Sequence, residues 1–294
     1  MPNRRTSRSG KPPCSSPSPA SRKRHAYGGS TRRSRLPLLL AAGLLLTALG
    51  FSACNGDGGE PPPTTSDSGE AERVAYQAED GLRIIADFYA PLKSGPTPAV
   101  LLLHQFGGSR AQWADLIPDI LQWGYAVLAP DLRSFGESTV ITRAGEDEDY
   151  TLENLDDMVL DVAAAIEYLK TRREVSAGQI GVVGASVGAN LAYVASGAFP
   201  EVLAAVSMSP NANPQGGVLL GKNIPGFSPR AVLFMSDVAE AGDAQALAQT
   251  AAEPVNVIVY EGASAHGVQL LPNPQVKPDM RGWLAANLPL SSGD

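Results

Sequence analysis

Apolar positions recur along the chain in two alternating rhythms. "RVAYQA" and "LRIIADFYAP" alternate apolar and polar residues around Asp80-Gly81, which predicts a pair of strands joined by a tight turn. "AVLLLHQF" (Ala99–Phe106), "AVLAPDL", "QIGVVGAS", "LAAVSMS", "AVLFMS" and "VNVIVYEG" are nearly continuous apolar runs, the signature of strands covered on both faces. Between them lie helical patterns. One runs from a cap at Ser109 to about Gln122, with Gly124 as its stop. The others cover Thr151–Thr171, Val187–Ala198, Asp243–Ala252 and Gln275–Leu288. Strand and helix alternate, so the pattern predicts an α/β domain over residues 73–290. Its sheet is expected to be mostly parallel and eight-stranded, with helices on both faces. In such sheets reactive residues gather beyond the carboxyl ends of the strands.

The segment before this domain breaks the pattern. Arginines lead into Leu36–Ala53, which carries no charge, and small residues with a cysteine follow in "FSACNGDGG". A positive stretch, an apolar stretch and a small-residue cleavage site together predict an export signal over residues 1–53. "FSAC" resembles a bacterial lipobox, which implies lipidation of Cys54 and a cell-envelope, extracytoplasmic location anchored to the membrane. An uncleaved signal anchor is the alternative, because the apolar stretch is nearly long enough to span a bilayer. Residues 54–72, rich in Pro, Gly and Ser, are expected to form a flexible linker.

Charge sharpens this division. Of 23 Lys and Arg, ten lie in residues 1–53, which hold no Asp or Glu. The remaining 13 basic residues face 30 acidic ones, a formal charge of −17, so nucleic acid is not an expected partner. The chain has two cysteines, Cys14 and Cys54. Past Cys54 there is no thiol, so a disulfide framework, a cysteine-bearing zinc cluster and a cysteine nucleophile are all excluded there.

Candidate chemistry concentrates at Gly184-Ala185-Ser186-Val187-Gly188, a G-x-S-x-G pattern where a strand hands over to a helix. At such a junction the glycines permit a sharp turn, and the serine hydroxyl is presented at the sheet edge. The following helix supplies backbone N–H groups suited to a developing oxyanion. Read plainly, the serine would instead be a helix N-cap in a glycine-lined turn. A nucleophilic serine needs a base. Of the three histidines, His25 lies in the export segment, and His104 and His266 stand before and after the serine; the G-x-S-x-G turn resembles that of the α/β-hydrolases, whose chain order of serine, acid and histidine implies His266 as the base. An acid between them would orient the imidazole. Asp237, Glu240 and Asp243, near the end of "AVLFMS", are the candidates. The loop His104-Gln105-Phe106-Gly107-Gly108 is expected to supply a second oxyanion donor, the Phe106 amide, beside that of Val187. His104 itself is expected to be structural, bonding nearby backbone.

"LLLHQFGGSRAQW", "GYAVLAPDLRSFGES", "GVVGASVGANLA" and "IVYEGASAHGVQLL" occur in the order that resembles the α/β-hydrolase superfamily, in particular bacterial dienelactone-hydrolase-like serine esterases. The resemblance implies the α/β-hydrolase fold, Ser186 as nucleophile, His266 as base, and Phe106 and Val187 as oxyanion amides. It aligns Glu240 with the acid, and it implies no cofactor and no metal. This chain departs from the family's pattern at Gln105, at Ser134-Phe135, and in "GASAH", which is one residue longer. The twenty-one residues from Pro210 to Arg230 are too few for a helical lid. A minimal cap over an open cleft is therefore expected, suited to small ester substrates. A peptidase acting on short peptides and a non-catalytic surface binding protein are the rival functions. Oligomeric state is not legible.

Overall fold

The computed structural model describes residues 69–213, 221, 224, 226–261 and 264–290. The export segment with Cys54, most of the linker, Gly262 and Ala263, and much of the Pro210–Arg230 stretch lie outside the described residues.

Ten strands form one sheet. Strands β1 (Ala71–Gln77) and β2 (Leu82–Tyr89) pair antiparallel across the Asp80-Gly81 turn. Then follow β3 (Thr97–Leu103), β4 (Ala126–Pro130), β5 (Val140–Arg143), β6 (Glu146–Asp149), β7 (Val175–Ala185), β8 (Val202–Met208), β9 (Arg230–Asp237) and β10 (Ala252–Tyr260). Their order is β10-β9-β8-β7-β3-β4-β2-β5-β6, with β1 on the other edge of β2. From β4 to β10 through β3, β7, β8 and β9 all neighbours are parallel, whereas β1, β2, β5 and β6 join antiparallel.

The apolar runs become strands because both sheet faces are covered. Helices α2 (Met158–Thr171), α3 (Val187–Ala198) and α4 (Ala241–Ala248) contribute to one apolar layer, with Leu101, Leu103, Val182 and Phe234 at its centre. Helices α1 (Ile117–Gln122) and α5 (Val276–Asn287) contribute to the other, against Val100, Leu102, Val183 and Met235. Each fully buried Leu, Val or Phe contributes roughly 1.5–3 kcal/mol. Alternate residues of one strand therefore anchor opposite layers. In α3, nine of twelve residues are buried, and Ala189, Ala192 and Ala195 let the helix lie close on the sheet.

The sheet has ten strands where the apolar pattern predicts eight. The two extra strands are the hairpin β5–β6, and all four residues of β6 are exposed acids. Pairing with β5 makes that segment a strand, and no apolar periodicity announces it. The helix expected from Ser109 is also divided. A 3-10 turn, Arg110–Trp113, precedes α1, and Ser109 makes no side-chain cap. Pro118, in the first turn of α1, lacks the N–H that a continuous helix would use. Helix α2 starts at Met158 rather than Thr151. Asn154 instead caps a 3-10 turn, accepting from Asp156 N–H at 3.1 Å. Helix α4 ends at Ala248 rather than Ala252, which already begins β10.

The topology fixes where a site lies. From adjacent strands β3 and β7 the chain leaves in opposite directions, from β3 to β4 on one side and from β7 to β8 on the other. A crevice forms at such a switch point.

Candidate active site

Six loops meet at this carboxyl edge, and each carries a residue of interest. His104–Gly108 follows β3, Asp131–Thr139 follows β4, and Ser186 follows β7. Ser209 follows β8, Glu240 lies just past β9, and His266 lies past β10.

Ser186 occupies a strained backbone, φ 53 and ψ −113. Such a conformation in a non-glycine residue costs of order 1–3 kcal/mol and persists only where surroundings impose it. Here Ser186 N–H donates to Met208 O at 2.9 Å, and Ser186 O accepts from Ala189 and Asn190 N–H at 2.9 and 3.2 Å. The flanking glycines are sterically required. A Cβ on Gly184 would collide with the backbone of Gly188 and Ala189, and a Cβ on Gly188 would collide with the carbonyls of Leu103 and His104. Gly184 thus lies against the first turn of α3, and Gly188 against the end of β3, where the His104–Gly108 loop begins. Val187 opens α3, and its N–H is among those with no acceptor inside the helix. Asn190 braces the turn from the next helical turn. Its amide exchanges two hydrogen bonds with the Asn211 backbone, at 2.8 and 2.9 Å.

The structure brings His266 and Glu240 together, with Nδ1 to Oε1 at 2.6 Å. An ionised Glu240 is an acceptor, so Nδ1 is the donor, and in the neutral ring Nε2 then keeps its lone pair. Both side chains are partly exposed, His266 at 45% and Glu240 at 31%. The other two acids do different things. Asp237 is buried, and its Oδ1 accepts from Ala239 N–H at 2.9 Å, capping the 3-10 turn Val238–Glu240 that delivers Glu240. Asp243 lies beyond that turn, in the first turn of α4.

His104 is fully buried. Its Nε2 accepts from Leu132 N–H at 2.9 Å, which places the proton on Nδ1, the donor to Gln105 O at 2.7 Å. Burial lowers its pKa below that of a free histidine. The neutral ring thus ties the loop after β3 to the loop after β4. Two residues past Gly108, Arg110 strengthens that tie. Its N–H donates to Asp131 Oδ1 at 2.8 Å, and its guanidinium reaches Asp87 at 2.9 Å, Glu137 at 3.0 Å and the second oxygen of Asp131. Asp131 also accepts from Glu137 N–H at 2.8 Å. Phe135 stands edge-on to His104, with centroids 5.7 Å apart, and to Phe106, at 5.0 Å. Phe106 is 59% exposed, so its ring offers an apolar wall beside the loop that holds its amide.

Two further residues at this edge were given no role by the sequence reading. Ser209 Oγ accepts from Gly267 N–H at 2.9 Å, and Gln105 Oε1 accepts from Val268 N–H at 3.4 Å. Gln105 was visible as a departure from the family's pattern. For Ser209 the only signal is its place, one polar residue at the carboxyl end of a buried strand. Among the described residues no cluster of His, Cys, Asp and Glu suits a metal ion.

This fold and edge define a class. A family model of the alpha/beta hydrolase fold matches residues 98–261, and the chain belongs to that family. Among curated proteins, a stretch of 94 residues is 35% identical to bifunctional epoxide hydrolase 2 of Sus scrofa, covering 32% of this chain and 16% of that protein. A stretch of 108 residues is 30% identical to a probable 2-oxo-3-(5-oxofuran-2-ylidene)propanoate lactonase of Bradyrhizobium sp, covering 36% and 43%. The chain thus matches less than half the length of either relative. Solved structures share the fold. An esterase of Pyrococcus furiosus has a TM-score of 0.58 at 21% identity, covering 74% of this chain and 91% of its own. A dienelactone hydrolase of Anabaena variabilis has a TM-score of 0.56 at 18% identity, covering 74% and 99%.

Proposed function

We propose that the protein is a serine hydrolase that cleaves small carboxylic esters, cyclic esters included, through an acyl-enzyme. The observation that carries this reading is the 2.6 Å contact between His266 and Glu240, on the same sheet edge as the strained Ser186 turn. The names of the lactonase and the esterase among its likenesses point the same way.

In this mechanism the Ser186 hydroxyl oxygen adds to the ester carbonyl carbon while its proton passes to His266 Nε2. The carbonyl electrons move onto oxygen, and the resulting oxyanion is held by the Phe106 and Val187 amides. The oxyanion then collapses, the bond to the leaving alcohol breaks, and His266 returns its proton to that alcohol's oxygen. Water repeats the sequence on the acyl-enzyme, releasing the acid and restoring the serine. Glu240 holds the imidazole with its proton on Nδ1 and stabilises the imidazolium. The Phe106 ring favours an apolar group beside the oxyanion site, and the short Pro210–Arg230 connection favours small substrates. We further propose that lipidation at Cys54 holds the domain at a membrane surface; incorporation of radiolabelled palmitate, lost in Cys54→Ala, would test it.

The direct test is covalent. A fluorophosphonate probe should label the wild type and leave Ser186→Ala unlabelled, and that variant should lose at least about 10⁴-fold in turnover of p-nitrophenyl butyrate. Retained labelling in Ser186→Ala would remove the assignment. No labelling of the wild type at any pH would favour the binding-protein reading, and preference for an aminoacyl amide would favour a peptidase.

A further inference from the structure

The chain that carries His266 is gripped at three successive amides by side chains. His266 N–H donates to Gln269 Oε1 at 3.3 Å, Gly267 N–H to Ser209 Oγ at 2.9 Å, and Val268 N–H to Gln105 Oε1 at 3.4 Å. The first acceptor is local. The other two come from the ends of β8 and β3, the strands on either side of β7 and its Ser186 turn.

Ser209 is held in an unfavourable backbone for that contact. It is 1% exposed, sits at φ 55, and its own N–H donates to Met235 O at 2.7 Å. Glycine would occupy the same backbone without the penalty of a Cβ at positive φ. The strained position is thus one where the side chain contributes something glycine lacks, and the hydroxyl's contact is with Gly267. Gln105 closes on the same loop from the other side. A Cβ on Gly267 would come within 2.6 Å of Gln105 Oε1 and 3.3 Å of the Ala185 methyl group, so the loop lies directly against the residue before Ser186. The Gln105 backbone is itself fixed, its carbonyl accepting from His104 Nδ1 at 2.7 Å and Gly108 N–H at 3.0 Å.

We propose that Ser209 and Gln105 are positioning residues for His266. They clamp the two amides that follow it and so set the backbone that carries the imidazole. Glu240 sets the rotation of the ring about that anchor. The proposal rests on the reading of His266 as the general base. Neither Ser209 nor Gln105 is assigned a contact with substrate.

Ser209→Gly and Gln105→Met separate positioning from scaffolding. In Ser209→Gly the relief of backbone strain offsets the lost hydrogen bond, so Tm should stay close to the wild type. A displacement of about 1 Å costs on the order of 100-fold in rate, so kcat should fall about 10- to 100-fold while KM changes less than about twofold. In ¹⁵N-histidine-labelled protein, the His266 Nδ1 proton held by Glu240 should broaden or vanish, and the titration midpoint of the ring should move. Both variants keeping wild-type kcat and an unaltered His266 spectrum would overturn the proposal. So would parallel loss of Tm and activity in both with unaltered His266 titration, since that is a scaffold role. If the wild type itself fails to react with a fluorophosphonate, the hydrolase reading falls, and the spectral comparison alone still decides the clamp.

Discussion

Replacing Glu240 with glutamine tests the central contact with little change in shape. Glutamine keeps an oxygen of the same reach, so the hydrogen bond from His266 Nδ1, 2.6 Å long in the wild type, can survive. What disappears is the negative charge that, in the proposed mechanism, faces the imidazolium formed as Ser186 reacts. Two unit charges about 4 Å apart interact by roughly 4 kcal/mol at an effective dielectric of about 20 and roughly 1 kcal/mol in water. Glu240 is 31% exposed and His266 45%, so screening pulls the value toward the middle of that range. About 2 kcal/mol of transition-state stabilisation should be lost, roughly 30-fold in kcat. KM should hold, because the lost charge acts on the transition state and not on substrate binding. Stopped-flow acylation with p-nitrophenyl acetate isolates the step. Asp243→Asn serves as the control and should leave the rate unchanged. A Glu240→Gln enzyme within twofold of the wild type, or an equal loss in Asp243→Asn, would refute the argument.

Two other outcomes follow from buried polar groups at the same edge. His104 has a depressed pKa in the folded state through burial, so the unfolded chain binds the extra proton first. Its contribution to stability is complete above the unfolded value of about 6.5 and is lost as pH falls through the folded value. Urea melts between pH 7 and 5 should therefore show falling stability, and His104→Gln should flatten that part of the dependence; an unchanged slope would count against the neutral-ring assignment. Arg133 and Asp161 are both fully buried, joined by Arg133 Nε to Asp161 Oδ1 and Arg133 N–H to Asp161 Oδ2, each at 2.8 Å. Arg133→Met should cost about 3–5 kcal/mol in chemical denaturation by stranding the carboxylate, and adding Asp161→Leu should restore part of it, since the backbone N–H at position 133 then loses its acceptor.

The amino-acid sequence by itself determined the parallel centre of the sheet, because strands covered on both faces must be apolar throughout and runs such as Ala99–Leu103 and Ile180–Ala185 have few alternatives. It also determined the form of the Ser186 turn. Gly184 and Gly188 are required by collisions local to that junction, and local collisions leave a local signature. His266 could be named as the candidate base from the resemblance, since one of the three histidines follows the serine as that family's chain order requires. Tertiary structure decided the rest. Asp237, Glu240 and Asp243 stand three residues apart past one strand, and chain spacing treats them alike. Asp237 spends its carboxylate capping the turn, which swings Glu240 toward a loop 26 residues further on. The β5–β6 hairpin is stabilised by pairing at an edge, where acidic residues can face solvent, so it carries no apolar rhythm. Ser209 and Gln105 meet the His266 loop across 58 and 163 residues of sequence. A hydrogen bond of that span exists only after the sheet has assembled, because its two ends share no local pattern and are brought together by strand order alone.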